Sequence, residues 1–314
     1  NGEPGIVFLD HCRHFGRFKD GWIDEDSVGY DRVLGVNPCI PNYSKFLTMS
    51  KGVIPLSELV VGDVVWTGQK WAPISKIWNT GVKPVYRYTT SRGYFVDCTQ
   101  NHKLVTSNGK IEAKDAEDVL ITVPYSTRGG VSYNHLQATL AGLVQGDGAK
   151  QKNGGTCAYL NIGDKDRGYY RDFSIFVERE LPKTDQHSEM WKLNFDFNTL
   201  NLEYAPLPER KLTDFWMMTD APTTCAFLRG LYSANGCVIG DTRIALKTTC
   251  KELANQVQLL LSSVGIKSYI TTNKPTTIAF KNGTYTCKES YDVNTSQTDR
   301  FMDLIGFLQD YKTI

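Results

Sequence analysis

No CxxC pair occurs among the eight cysteines, which stand at positions 12, 39, 98, 157, 225, 237, 250 and 287. That spacing offers neither a zinc site nor a dense disulfide framework, though it leaves room for a single reactive thiol. No run approaches the ~20 apolar residues of a membrane helix, and no charged-then-apolar leader opens the chain, so no membrane partner is expected. Bulk charge of either sign is also missing. Lys and Arg number 35 against 34 Asp and Glu, a net charge of +1, and from Val131 onward basic and acidic residues balance at twenty each. Any contact with nucleic acid must therefore come from local patterning.

What is present is ordinary globular composition, 41% hydrophobic and 22% charged, which excludes collagen-like, coiled-coil and wholly disordered chains. A length of 314 residues allows two or three compact units. Three zones follow one another. Residues 1–38 begin without methionine, are rich in Gly and Asp, and hold one short apolar run, Ile6 to Leu9; they read as interior sequence of a longer host protein. Residues 39–128 carry short Val/Ile/Thr/Tyr/Trp-rich runs split by Ser50-Lys51-Gly52, Val61-Gly62-Asp63, Thr67-Gly68 and Ser107-Asn108-Gly109, the pattern of an all-β unit closed by a linker with Gly129 and Gly130.

From residue 129 to the end, helices alternate with strand pairs, and they do so twice, over about 131–220 and 221–314. Apolar residues at 136, 140, 143 and 144, and again at 227, 228, 231 and 232, mark one face of a 3.6-residue period. Each helix is expected to end in a short Gly-containing turn, Gly146-Asp147-Gly148 in one copy and Ala234-Asn235-Gly236 in the other. Lys251 to Val264 and Asp299 to Leu308 read as later helices. The expected repeat is αββαββα, helix, strand pair, helix, strand pair, helix.

LAGLVQGDG (140–148) and LRGLYSANG (228–236) resemble the paired motifs of LAGLIDADG homing endonucleases. CIPNYSKFLT, VIPLSELVVGDVV and YFVDCTQNHKLVT resemble the first two sequence blocks of inteins, led by Cys39 and containing Thr99-Gln100-Asn101-His102 as the TxxH block. NGEPGIVFLD running to GVNPC resembles the active-site region of a ribonucleotide reductase large subunit. Together these imply an all-β, horseshoe-like Hint splicing domain lacking its C-terminal strands, followed by an α+β endonuclease. The element would be inserted in a reductase host and work in the cytoplasm of a bacterial or phage-infected cell. Its activities would be autocatalytic cleavage and protein splicing, and hydrolysis of DNA.

The chemistry at Cys39 is an N–S acyl shift: the thiol attacks the Pro38 carbonyl and exchanges the peptide bond for a thioester. His102 suits proton transfer, Thr99 orientation, and Asn101 is a second donor. By resemblance, full splicing needs about forty further residues ending in Asn, and nothing after Tyr291 fits. The missing strands would come from a separate C-terminal intein fragment, as in a split intein; a truncated piece and a relic are the other two explanations.

In the endonuclease half, Gly142 and Gly230 are expected to let the two motif helices meet at a pseudo-twofold axis. The penultimate motif residue should be a carboxylate that holds Mg²⁺ at the DNA. Asp147 fills that place in the first copy, but in the second it is Asn235. An uncharged amide there predicts cleavage impaired to nicking or to binding alone, unless the family tolerates Asn. Lys211, with Arg210 as fallback, is the candidate lysine near the metals; at the matching distance the second copy offers only Arg300. Arg243, Ala245 and Lys247 should share the strand face that reads double-stranded DNA, the target being the reductase gene without the insertion. In the first copy, Tyr159 to Arg167 and Lys192 to Tyr204 correspond. Rival readings are a DNA-binding relic and a hedgehog-type autoprocessing domain, which lacks the paired helices. Cys98 reads as a buried strand cysteine before a redox modulator, and His11, Cys12 and His14 lack a fourth metal ligand.

Overall fold

A computed structural model describes residues 39–124, 128–150, 156–181, 188–280 and 283–312. The expectations for residues 1–38, including Cys12, His11 and His14, lie outside the described residues. By contacts between Cα atoms the described chain forms two compact units, one of residues 39–44, 78–88 and 95–120, the other of 45–77, 89–94 and the rest from 121 onward.

The first zone is built from antiparallel hairpins. Strand β1 (Lys45–Leu47) pairs with β2 (Val53–Pro55), and β3 (Val64–Trp66) with β4 (Trp71–Pro73). Further on, β5 (Tyr86–Thr89) pairs with β6 (Phe95–Cys98), and β7 (Lys103–Thr106) with β8 (Gly109–Glu112). The β1–β2 turn depends on Gly52. Its φ is +71°, and a Cβ there would lie 2.7 Å from the Met217 carbonyl oxygen, so only a residue without a side chain fits. Residues 128–131 pack closely and do not form a free linker. Arg128 is buried, donates to the Thr219 carbonyl, to Thr224 Oγ1 at 3.0 Å and to Ser263 Oγ at 2.9 Å, and burial lowers its pKa to about 10.

The repeat predicted from sequence appears as two sheets of one topology. Helix α1 (His135–Asp147) leads into β9 (Gly148–Lys150), β10 (Cys157–Gly163), β11 (Val177–Leu181) and β12 (Ser188–Asp196). A short α2 (Asp214–Met218) precedes α3 (Ala221–Asn235), which leads into β13 (Gly236–Ile239), β14 (Arg243–Thr248), α4 (Lys251–Ser263) and β15 (Tyr269–Asn273). A hairpin of β16 (Thr276–Phe280) and β17 (Gly283–Cys287) follows, then β18 (Ser290–Thr295) and α5 (Thr298–Leu304). The sheets run β9-β10-β12-β11 and β13-β14-β18-β15. Setting the β16–β17 hairpin aside, both read first-second-fourth-third in chain order.

Four details differ from the sequence reading. The middle helix of the first copy is only a 3-10 segment, Arg171–Phe176, in which Phe173 alone is buried. Among the described residues, the β16–β17 hairpin has no counterpart in the first copy. Both motif helices run directly into strands at Gly148 and Gly236 without an intervening turn. The last helix stops at Leu304, with Gly306 at φ +64° beyond it.

The ends of the motif helices are set by short polar side chains. Asn134 accepts from the Gln137 amide at 3.0 Å, and Asp220 accepts from the Thr223 amide at 2.8 Å, each cap contributing about 1 kcal/mol. Residues 138–146 of α1 are buried without a break, so it is a central helix surrounded by protein and not a one-faced surface helix. Trp216 stacks on Phe227 of α3 at 4.2 Å between ring centroids and is itself fully buried. Among the described residues no helix is long and apolar enough to cross a membrane.

Candidate functional site

The two motif helices touch through their glycines. A Cβ built on Gly142 would strike the Phe227 carbonyl oxygen and lie 2.7 Å from the Leu231 nitrogen and 3.0 Å from the Gly230 Cα. One built on Gly230 would strike the Thr139 carbonyl oxygen and lie 2.9 Å from the Leu143 nitrogen. Backbone therefore meets backbone at the centre of the second unit, and no larger residue fits either place. The contact continues to the helix ends, where Asn235 Nδ2 donates to the Gly146 carbonyl at 3.0 Å.

Asp147 and Asn235, the last residues of their helices, thus stand at one end of the helix pair. Part of Asp147 is open to solvent, yet the surrounding protein strips enough water to raise its pKa; Asp166 adds to the rise and Lys312 opposes it. Asn235 is half-buried. Arg210, the fallback candidate, is buried. It is 1% exposed, donates to the carbonyls of Val144 at 2.8 Å, Gly148 at 2.9 Å and Ala205 at 2.9 Å, and lies 4.7 Å from the Phe197 ring centroid. Burial lowers its pKa to about 10. Its guanidinium ties up carbonyls on both sides of Asp147. Lys211 is exposed, and its amide donates to Glu203 Oε2 at 3.1 Å.

Sequence reasoning missed Lys312, the lysine whose charge acts on Asp147. Its ammonium donates to the Ser233 carbonyl at 2.7 Å; burial lowers its pKa, while Asp166 and Asp147 oppose that effect. Asp166 is held in turn by Gln309 Nε2 at 3.0 Å and by the Tyr311 hydroxyl at 2.7 Å. Residues 309–312 of the second copy therefore reach the turn after β10 in the first. A search at the Asp147-to-Lys211 spacing stops at Arg300, twelve residues early. Arg300 lies elsewhere, lining a cavity of about 580 Å³ with His135 and Ala221, the first residues of α1 and α3. By helix length that is roughly 20 Å from Asp147.

The strands sort their faces only partly as expected. On β10, Ala158, Leu160 and Ile162 are buried while Tyr159 and Asn161 turn outward, and Tyr159 is registered opposite Lys192 of β12. On β14, however, Ala245 is buried with Ile244 and Leu246, so it is not a contact residue. Arg243 is half-buried. Lys247 is exposed, and its ammonium is 3.4 Å from Asp292 Oδ1 on the neighbouring strand.

In the first unit, Thr99 grips both ends of Cys39. The Cys39 amide donates to Thr99 Oγ1 at 3.2 Å, the Thr99 amide donates to the Cys39 carbonyl at 3.0 Å, and the Thr99 hydroxyl donates to that carbonyl at 3.4 Å. The turn from Thr99 to His102 closes through the His102 amide and the Thr99 carbonyl at 2.9 Å. The Cys39 and TxxH segments, sixty residues apart, thus meet. Asn101 is exposed and His102 half-buried. Cys98 is fully buried at the end of β6, and burial raises its pKa, as suits an inert core thiol.

Residues 222–306 match the family model of the LAGLIDADG-like domain. Over 269 residues the chain is 25% identical to a DNA polymerase of Thermococcus hydrothermalis, a stretch that covers 73% of this chain and 16% of the polymerase. Similar solved structures include a variant of I-DmoI with nicked target DNA and manganese, at 19% identity, covering 55% of this chain and 95% of that one, with a TM-score of 0.38. I-WcaI bound to its DNA recognition sequence matches at 14% identity over 59% and 88% of the two chains, also with a TM-score of 0.38.

Proposed function

We propose that residues 129–314 act as a double-strand DNA-binding endonuclease of the LAGLIDADG type with one complete catalytic half, at Asp147, and one weakened half, at Asn235. The observation that carries the reading is the Gly142–Gly230 contact, which holds two sheets of identical topology about one helix pair and brings Asp147 and Asn235 to the same end. The donors suit Mg²⁺: a carboxylate and an amide oxygen are hard ligands, and Mg²⁺ is commonly held by one or two carboxylates together with substrate phosphates. When bound there the ion would lower the pKa of an attacking water and offset charge on the leaving oxygen. Asp147 would hold it, Lys312 or Lys211 would face the phosphate, and the outward residues of β10, β12 and β14, Arg243 and Lys247 among them, would contact the duplex.

The test is a supercoiled plasmid carrying an uninterrupted reductase gene, incubated with the full chain and Mg²⁺. Nicked circles without linear product support the reading, and Asp147→Asn should abolish them. Binding without nicking would favour the relic, and neither binding nor nicking would overturn the assignment.

Residues 39–128 are proposed to carry out the first step of intein splicing. Support comes from Thr99 Oγ1 resting on the nitrogen of Cys39, the atom that becomes the leaving amine. A separate C-terminal fragment would supply the remaining strands. The reductase host rests on residues 1–38 alone. Thiol-induced release of those residues from the full chain tests the acyl shift, and its absence would sink it.

A further inference from the structure

The sulfur of Cys39 is met by two side chains that sequence reasoning did not connect with it. Thr80 Oγ1 lies 2.8 Å from Sγ, and the Lys83 ammonium lies 3.6 Å from it. Both belong to the irregular stretch leading into β5. The Gly81 amide donates to Asn79 Oδ1 at 2.9 Å, and Gly81 takes φ +76°, so a local Asn-Thr-Gly turn sets where Thr80 and Lys83 come off the chain. Thr99 engages the Cys39 backbone. The nucleophilic atom is thus served by one group of residues and the bond to be broken by another.

We propose that Lys83 is the cation that stabilises the Cys39 thiolate, with the Thr80 hydroxyl donating a hydrogen bond to the same sulfur. The assignment rests on the acyl-shift reading above and adds to it a residue for the attacking atom. A thiolate, not a thiol, attacks carbonyl carbon, and a neighbouring ammonium favours that form by direct charge attraction. In the step, the thiolate forms a C–S bond to the Pro38 carbonyl carbon and the C–N bond to Cys39 breaks. The electron pair goes to the Cys39 nitrogen, which takes up the proton the thiol gave away, through His102 or water. No oxidant, reductant or net proton is needed. Thr80 contributes in the same direction, because its hydroxyl can donate to a negatively charged sulfur without adding charge.

Alkylation of the full chain with iodoacetamide at pH 7, followed by mass mapping of each cysteine, tests the assignment without requiring any splicing. Cys237 and Cys287 are exposed and serve as internal references. Cys39 should react about tenfold faster than either, Lys83→Met should slow Cys39 about tenfold while leaving the references unchanged, and Lys83→Arg should keep most of the rate. An unchanged Cys39 rate in Lys83→Met overturns the assignment. Dithiothreitol-induced release of residues 1–38 is read in parallel. Release with no effect of Lys83 on alkylation would sink the lysine's role and keep the acyl shift; a lysine effect with no release would do the reverse.

Discussion

Asn235 Nδ2 donates to the Gly146 carbonyl at 3.0 Å, so the residue standing where the motif should end in an acid is engaged in joining the two helix ends. Replacing it with Asp exchanges a donor for an acceptor facing an oxygen. Asn235→Asp should therefore cost about 1–3 kcal/mol of stability while adding the missing negative charge for a cation. In the plasmid assay the product should shift from nicked circles to linear DNA, and the urea midpoint should fall. Equal linear product from both chains would show that the amide is no handicap.

The close helix contact gives a sharper structural test. Gly142→Ala places a methyl group against the Phe227 carbonyl and the Leu231 amide, both backbone atoms that cannot step aside. A loss of about 3 kcal/mol or more is expected, or failure to fold. Gly168→Ala, where nothing lies within 4 Å of the new methyl, should stay within about 0.5 kcal/mol. Urea denaturation of the two variants side by side checks both expectations.

Of this architecture, the helix pair was the most legible part of the sequence, because apolar spacing and glycines point to the same two segments. The capping residues Asn134 and Asp220 were not singled out, because apolar spacing marks the buried face of a helix and not its polar first turn. What the sequence hid were the residues defined by three-dimensional meetings. Arg210 looks like surface charge until three carbonyls converge on it, and Lys312 comes near Asp147 only because residues 309–312 cross to the other copy. Thr80 and Lys83 lie over forty residues from Cys39 in a stretch with no periodicity to mark it. The short 3-10 segment in place of a first-copy helix was hidden too, since Arg171–Phe176 carries too few apolar residues to cover a sheet.

Arg210 and Lys211 should separate cleanly on mutation. Arg210→Met removes donors to the carbonyls of Val144, Gly148 and Ala205, leaving buried acceptors unpaired at a cost of roughly 3–5 kcal/mol. Lys211→Met should change stability by less than about 0.5 kcal/mol. If Lys312 is the lysine that serves Asp147, then Lys312→Met lowers nicking more than Lys211→Met at equal DNA affinity. The comparison is made by gel shift and plasmid nicking together.

The raised pKa of Asp147 makes a pH prediction of definite sign. A carboxyl whose folded pKa exceeds its unfolded value favours the fold while protonated, and that contribution is lost as pH rises through the folded pKa. Asp147→Asn should therefore raise the urea midpoint at pH 7, with the gain disappearing at pH values below the ordinary carboxylate range. Adding Mg²⁺ should narrow the gap at pH 7 by binding only the ionised form. A variant less stable than the parent at pH 7 would contradict the pKa argument.

Lys247 offers a test, independent of catalysis, of the strand proposed to face DNA. Its ammonium lies 3.4 Å from Asp292 Oδ1, directly across the register from β14 to β18, so any phosphate must compete with that carboxylate. Asp292→Asn removes the competitor while keeping the shape. It should strengthen duplex binding and steepen the dependence of log affinity on log salt by about one released counterion, whereas Lys247→Ala should flatten it by a similar amount. Ala245, buried on the same strand, should tolerate no large side chain yet leave the salt dependence untouched wherever the fold survives. Fluorescence anisotropy at several salt concentrations reads both slopes, and identical slopes in all three chains would remove Lys247 from the interface.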